Sequence, residues 1–195
     1  EITIKALSNL CALINAAHDE KTSPGKISIL FSRPHNNSQG VNDMGVVPEF
    51  FPGYRDINNA SNREKVEKLW GIKLSDNIFR KDAVNIIDLA LNGKLKALYV
   101  MGENPIINYP VGKDIQAALK RVDFVVVQDT FLTETAQLAD VVFPAATFAE
   151  KEGTFTNMGM TVQPLNKAIQ PVGDAKPDWQ IICELAKKMG HAYSY

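Results

Sequence analysis

Three apolar runs, ALYVM at 97–101, FVVV at 124–127 and VVF at 141–143, each stop at a cluster of polar or conformationally special residues. Helical spacing fills the intervals, in KDIQAALKR at 113–121 and over a shorter stretch at 134–138. Strands that alternate with helices need crossover connections, and crossovers select βαβ units around a parallel sheet. The near-continuous apolar character of the runs suits strands covered on both faces. The expected fold class is therefore α/β: a Rossmann-like, doubly wound parallel sheet flanked by helices. In such sheets a ligand lies outside the carboxyl ends of the strands. The residues at those ends are Gly102-Glu103-Asn104-Pro105, Gln128-Asp129-Thr130 and Pro144-Ala145-Ala146.

Upstream, the apolar spacing from Ile2 to Ala17 predicts an amphipathic helix, followed by a turn-rich break at 18–25 and a first strand at 27–31. A polar loop, SRPHNNSQG at 32–40, closes that strand. Residues 41–62 read as an irregular excursion in which Met44, Val46, Val47, Phe50, Phe51 and Tyr54 call for burial. Ser61 and Glu64 fit a capping box for a helix that runs to Trp70 and ends at Gly71. A further helix spans about 81–91, stopped by Asn92-Gly93. A second irregular passage covers 145–177, and a final helix over 178–189 turns Trp179, Ile182, Cys183, Leu185 and Ala186 inward. The whole of 1–195 reads as one αβ domain. Its first residue is Glu, already close to helical spacing, so the expectation is a piece cut from something longer.

At 195 residues with 45% hydrophobic and 22% charged residues, the chain can bury a substantial core. A formal charge of -1 and no basic run argue against nucleic acid as a partner. Cys11 and Cys183 lie in apolar helical contexts without a CxxC partner and read as small buried hydrophobes. No stretch reaches the roughly 20 apolar residues of a membrane helix, and no signal segment opens the chain, so a cytoplasmic setting without a membrane span is expected.

The candidate site residues follow from the strand ends. Gly102 lets backbone approach a ligand closely, while Glu103 and Asn104 can bond ring nitrogens or ribose hydroxyls; a plain turn is the alternative. Asp129 either pairs with the ribose or guanine donors of a nucleotide or caps the segment after it. Lys151 in AEKEG either neutralises a phosphate or is solvated. Arg33 in SRPHNN is a permanently charged fork fit for a small carboxylate or a phosphate, and His35 beside it either bonds a ligand or lies exposed. Three dispersed histidines, His18, His35 and His191, do not make a metal site. GxGxxG, GxSxG and P-loop motifs are all missing, so the chain offers a cradle rather than a reactive centre.

Several longer segments carry a resemblance: NNSQGVNDMGVVPEFFPGYR, ALYVMGENP, VVVQDTFLTETAQLADVVFPAATFAEKEGTFTN and KPDWQIICELAKKMG. Together, and in this order, they resemble the molybdopterin oxidoreductase family, with DMG and FPGY most similar to the formate dehydrogenase α subunit. The resemblance implies one αβ domain of a large subunit that holds a bis(molybdopterin guanine dinucleotide) cofactor with molybdenum or tungsten. Formate would be the substrate, oxidised to carbon dioxide, with electrons leaving through a four-iron cluster outside this chain. It also implies further domains of the parent and electron-transfer subunits as partners. By motif, Arg33 matches the arginine that faces formate, and Asn104, Gln128, Asp129, Lys151 and Asp178 match contacts to a guanine dinucleotide arm.

The chain departs from the family pattern in two places. Arg33-Pro34-His35-Asn36-Asn37 stands where an RGQNN-like loop is common, so the glutamine role falls to His35 and Pro34 stiffens the backbone. Met158-Gly159-Met160-Thr161 replaces an acidic-basic pair. The amino-terminal cluster cysteines, the metal-ligating cysteine or selenocysteine and the carboxy-terminal pterin-binding domain have no counterpart here, and the fragment alone is expected to be inactive. Two other readings share the fold: a redox-inactive scaffold domain, as in the large iron-sulfur subunit of NADH-quinone oxidoreductase, and a free-standing guanine nucleotide-binding module.

Overall fold

The computed structural model describes residues 2–17, 28–30, 32, 35–75, 83–110 and 112–191. Its centre is a parallel sheet of three strands in sequential order: β3 (Ala97–Met101), β4 (Phe124–Asp129) and β5 (Val141–Pro144). Val100 lies level with Val127, and Gln128 with Phe143, so each neighbouring pair presents its side chains to the same face. The face formed by Leu98, Val100, Val125 and Val127 packs against α4 (Ala83–Leu91) and α6 (Gly112–Leu119) through Ala90, Ile115, Ala118 and Leu119. Val125 and Val127 are almost wholly buried there. The expected parallel sheet with flanking helices is present.

Local signals explain most element ends. Gly93 takes φ 65 after α4 and Gly71 takes φ 67 after α3 (Ala60–Trp70), the left-handed geometry that releases a helix into a loop. At the start of β5 the Asp140 carboxylate accepts the Val125 amide at 2.7 Å and its own amide donates to the Val125 carbonyl at 2.9 Å, so a side chain extends the ladder. Pro105 opens the short α5 (Pro105–Asn108), where its missing N–H leaves no unmet donor.

Several expectations need correction. The helix α1 forms over Ile2–Ala16, yet Ile4, Leu7, Leu10, Leu13 and Ile14 are exposed. Of the strand expected at 27–31, the described residues 28–30 form no regular element. The loop at 32–40 gives way at Ser38 to a helix, α2 (Ser38–Asp43). The passages 41–62 and 145–177 each carry a hairpin: β1 (Phe50–Phe51) with β2 (Arg55–Asp56), and β6 (Gly153–Thr156) with β7 (Val162–Leu165). In the first, Phe51 joins Ile57, Val66 and Leu74 in a second small core, whereas Met44, Val46 and Tyr54 stay exposed. The Met158–Thr161 passage is the turn of the second hairpin, held by Asn157 Oδ1 accepting the Gly159 and Thr161 amides at 2.9 and 3.1 Å.

The last helix, α7 (Asp178–Lys188), buries Ile181 and leaves Trp179 and Ile182 exposed. Cys11 and Cys183 are half-buried rather than buried. Helix α3 is capped by Asn59, whose side chain accepts the Asn62 amide at 3.2 Å, and not by Ser61, which already lies inside the helix. Asn59→Ala is therefore expected to lower stability by about 1 kcal/mol, while Ser61→Ala is close to neutral. Thermal unfolding of the two variants side by side checks the assignment. No described helix is long and apolar enough to cross a membrane.

Candidate functional site at the strand ends

At the end of β3 the chain turns through Gly102, at φ 63, whose amide donates to the Gln128 carbonyl at 2.9 Å. A side chain at Gly102 would meet nothing within 4 Å, so this edge of the crevice is open to close approach. The two polar residues that follow are engaged by the protein itself. Glu103 accepts from the Asn108 amide group at 2.5 Å, and Asn104 bridges to the loop after β4. Its oxygen accepts the Thr135 hydroxyl at 2.7 Å and its NH2 donates to Glu134 at 2.8 Å, which holds the Glu134 carboxyl below the usual carboxylate range. Thr135 has no exposed surface, so Asn104 satisfies a buried hydroxyl.

At the end of β4 the two neighbouring side chains do different work. Asp129 Oδ1 accepts the amides of Thr130 and Phe131 at 2.7 and 3.4 Å, capping the loop. The structure realises the capping alternative through Oδ1, while Asp129 Oδ2 carries no hydrogen bond or ion pair among the described residues. Gln128 is fully buried; its Oε1 accepts the Tyr99 hydroxyl at 2.5 Å and its Nε2 donates to Asp178 Oδ1 at 2.7 Å. Asp178 Oδ2 in turn pairs with the Lys151 ammonium.

Two local devices bring Lys151 and Asp178 together. Thr147 and the buried Glu150 form a capping box around a single 3-10 turn, the Glu150 carboxylate accepting the Thr147 amide at 2.9 Å, and Lys151 is the next residue. Beyond β5, Ala145 bridges to Lys176, and the Ala146 amide donates to the Lys176 carbonyl at 2.8 Å. Pro177 then starts α7, which sets Asp178 in the first turn of an eleven-residue helix, where a carboxylate is favoured. Sequence reasoning missed Tyr99; the strand register that carries it towards Gln128 is its only signal.

The loop at 35–37 is anchored elsewhere. Asn37 Oδ1 accepts the Thr156 amide of β6 at 2.9 Å, and a side chain on Gly40 would fall 2.3 Å from that same oxygen. His35 is exposed, its carbonyl accepting from Ser38, and it makes no hydrogen bond to the strand-end cluster. Arg33, Pro34 and His18 lie outside the described residues. Among the described residues no three His, Cys, Asp or Glu side chains gather to hold a metal ion.

The sheet thus ends in an open glycine at Gly102, a half-free carboxylate at Asp129 and a paired lysine at Lys151, at the edge where open parallel α/β sheets place their ligands. The chain belongs to the molybdopterin oxidoreductase family, whose model matches residues 1–188. It is 42% identical over 99% of its length to a putative formate dehydrogenase of Staphylococcus haemolyticus, covering 19% of that protein. It is 44% identical over 96% of its length to the F420-dependent formate dehydrogenase subunit alpha of Methanocaldococcus jannaschii, covering 27% of it. Among solved structures, acetylene hydratase from Pelobacter acetylenicus superposes with a TM-score of 0.52 at 28% identity, over 66% of this chain and 19% of that one. The chain thus spans about a fifth to a quarter of the length of these relatives.

The family implies a molybdopterin cofactor carrying molybdenum or tungsten. At the strand ends this chain offers the polar chemistry such a group needs: a carboxylate oxygen at Asp129 without a partner among the described residues, an ammonium at Lys151 held by Asp178, and open space at Gly102.

Proposed function

We propose that residues 1–195 form a single αβ domain of a formate dehydrogenase α subunit and supply one wall of a bis(molybdopterin guanine dinucleotide) site. The observation that carries this reading is the half-free Asp129 carboxylate beside the Lys151–Asp178 pair at the ends of parallel strands, in a chain more than 40% identical to formate dehydrogenase subunits. Asp129 binds the guanine edge and Lys151 faces phosphate. Gln128 and Asp178 hold that lysine in place. Asn104 and Glu103 shape the loop that Gly102 opens. Arg33 orients formate through its bidentate fork, and His35 stands beside it in the role that glutamine has in related loops.

When bound, the cofactor supplies two-electron oxidation of formate to carbon dioxide. This chain supplies orientation and charge. Electrons leave through a four-iron cluster elsewhere in the parent, and the remaining parent domains and electron-transfer subunits are its partners, in the cytoplasm. Fold alone does not set the reaction, since the superposed relative is a hydratase. The named sequence relatives favour the dehydrogenase over a redox-inactive scaffold.

The full-length parent is expected to release guanine nucleotide on acid hydrolysis and to reduce a viologen dye with formate. A parent that releases guanine but leaves formate untouched carries the cofactor for another substrate. One that releases no guanine does not carry this cofactor.

A further inference from the structure

Tyr99 sits on β3 level with Val126, on the sheet face away from α4 and α6. Its long side chain leans along the strand and reaches the residue two places on in β4, Gln128. The Tyr99 ring stacks with Phe143 of β5, which is level with Gln128, at a centroid distance of 6.5 Å and an interplanar angle of 28°. Beside them the Gln128 side chain has no exposed surface.

A buried carboxamide must point its oxygen at a donor and its NH2 at an acceptor. Asp178 can only accept, which fixes Nε2 towards it and leaves Oε1 in need of a proton donor. The Tyr99 hydroxyl is that donor. Burial, with the Asp178 charge adding to it, raises the Tyr99 pKa above its ordinary value, so the hydroxyl keeps its proton at neutral pH. Removing it leaves Oε1 without a partner at a site with no exposed surface. The carboxamide would then turn in search of one, and Asp178 would lose the hydrogen bond that holds it between Gln128 and Lys151.

We propose that Tyr99 is a positioning residue of the cofactor crevice: its hydroxyl fixes Gln128, Gln128 fixes Asp178, and Asp178 keeps the Lys151 ammonium at the strand ends. This rests on the reading of Lys151 as a cofactor contact, and it assigns to a residue of β3 a part in binding that it performs without touching the ligand.

The test uses the full-length parent loaded with cofactor, with guanine retained per polypeptide after extended washing as the readout and the thermal midpoint of the cofactor-free protein alongside. Tyr99→Phe keeps the ring and its stacking on Phe143, so the midpoint is expected to move little while retained guanine falls about fivefold. Lys151→Gln is expected to lower retention about tenfold. The double variant is expected to match Lys151→Gln alone, because the hydroxyl acts through the lysine. Tyr99→p-aminophenylalanine, which restores an N–H donor at the same place, is expected to recover retention.

Wild-type retention by Tyr99→Phe would overturn the proposal, as would multiplication of the two losses in the double variant. So would a p-aminophenylalanine variant no better than Tyr99→Phe. Lys151→Gln without effect would remove the cofactor contact itself, and with it the proposal; a Lys151 effect without a Tyr99 effect would remove Tyr99 only.

Discussion

Replacing Asp129 with Asn in the full-length parent is expected to reduce retained guanine nucleotide by roughly a hundredfold or more. Guanine presents N1–H and an exocyclic NH2 side by side, and a carboxylate accepts both through charge-assisted bonds of about 1.5–3 kcal/mol each. An Asn in that place offers one acceptor and one donor, so one ligand N–H faces another. The variant is chosen because its remaining oxygen can still cap Thr130 and Phe131, the bonds that Asp129 Oδ1 makes now. The thermal midpoint of the cofactor-free protein should therefore stay near wild type while guanine content collapses. Guanine released by acid hydrolysis per polypeptide measures the effect, and an undiminished yield would show that Asp129 serves only its own loop.

The second large effect concerns stability. Gly45→Ala is expected to destabilise the domain by about 3 kcal/mol or more, equivalent to a fall of roughly 6–12 °C in its unfolding transition. Gly45 takes φ 76, and a Cβ there would lie 2.4 Å from the Pro52 nitrogen and 2.7 Å from the Phe51 carbonyl carbon. Both are backbone atoms of the hairpin that plants Phe51 in the second core, so neither gives way without moving that ring. Gly71 provides the control. It has a similar φ of 67 but open space where its side chain would be, so Gly71→Ala carries the backbone strain alone, about 1 kcal/mol. Equal losses at the two positions would refute the steric argument.

The sequence exposes the parallel sheet because its strands are long enough to bury residues such as Val125 and Val127 and because each ends in turn chemistry that needs no tertiary context. The same holds for the left-handed glycines at 71 and 93. What it conceals depends on partners distant in the chain. Strands of two residues in β1 and β2 have no periodicity to detect. The capping box at Thr147 and Glu150 lies in sequence plainly enough, but its turn is too short to announce a helix. In α7 the apolar residues fall on more than one face, and the fold buries Ile181, half-buries Leu185 and leaves Trp179 and Ile182 exposed.

The candidate site divides along the same line. Gly102, Gln128 and Asp129 are visible as strand-end residues. Lys151 is weighed from AEKEG between phosphate and solvent and Asp178 enters by resemblance; that they form an ion pair emerges only when the Ala145–Lys176 bridge sets the start of α7 where Asp178 meets Gln128. Asn104 also changes character. Both ends of its carboxamide are engaged within the protein, by Thr135 and Glu134, and these bonds tie the loop after Gly102 to the loop after β4.

Whether these strand ends receive a guanine dinucleotide arm is decided by the structure of the cofactor-loaded full-length parent. The guanine edge is expected within hydrogen-bond distance of Asp129 Oδ2, with a phosphate oxygen beside Lys151 and the ligand passing over Gly102. A loaded parent in which Asp129 and Lys151 face solvent or another domain, with the nucleotide bound elsewhere, would contradict it.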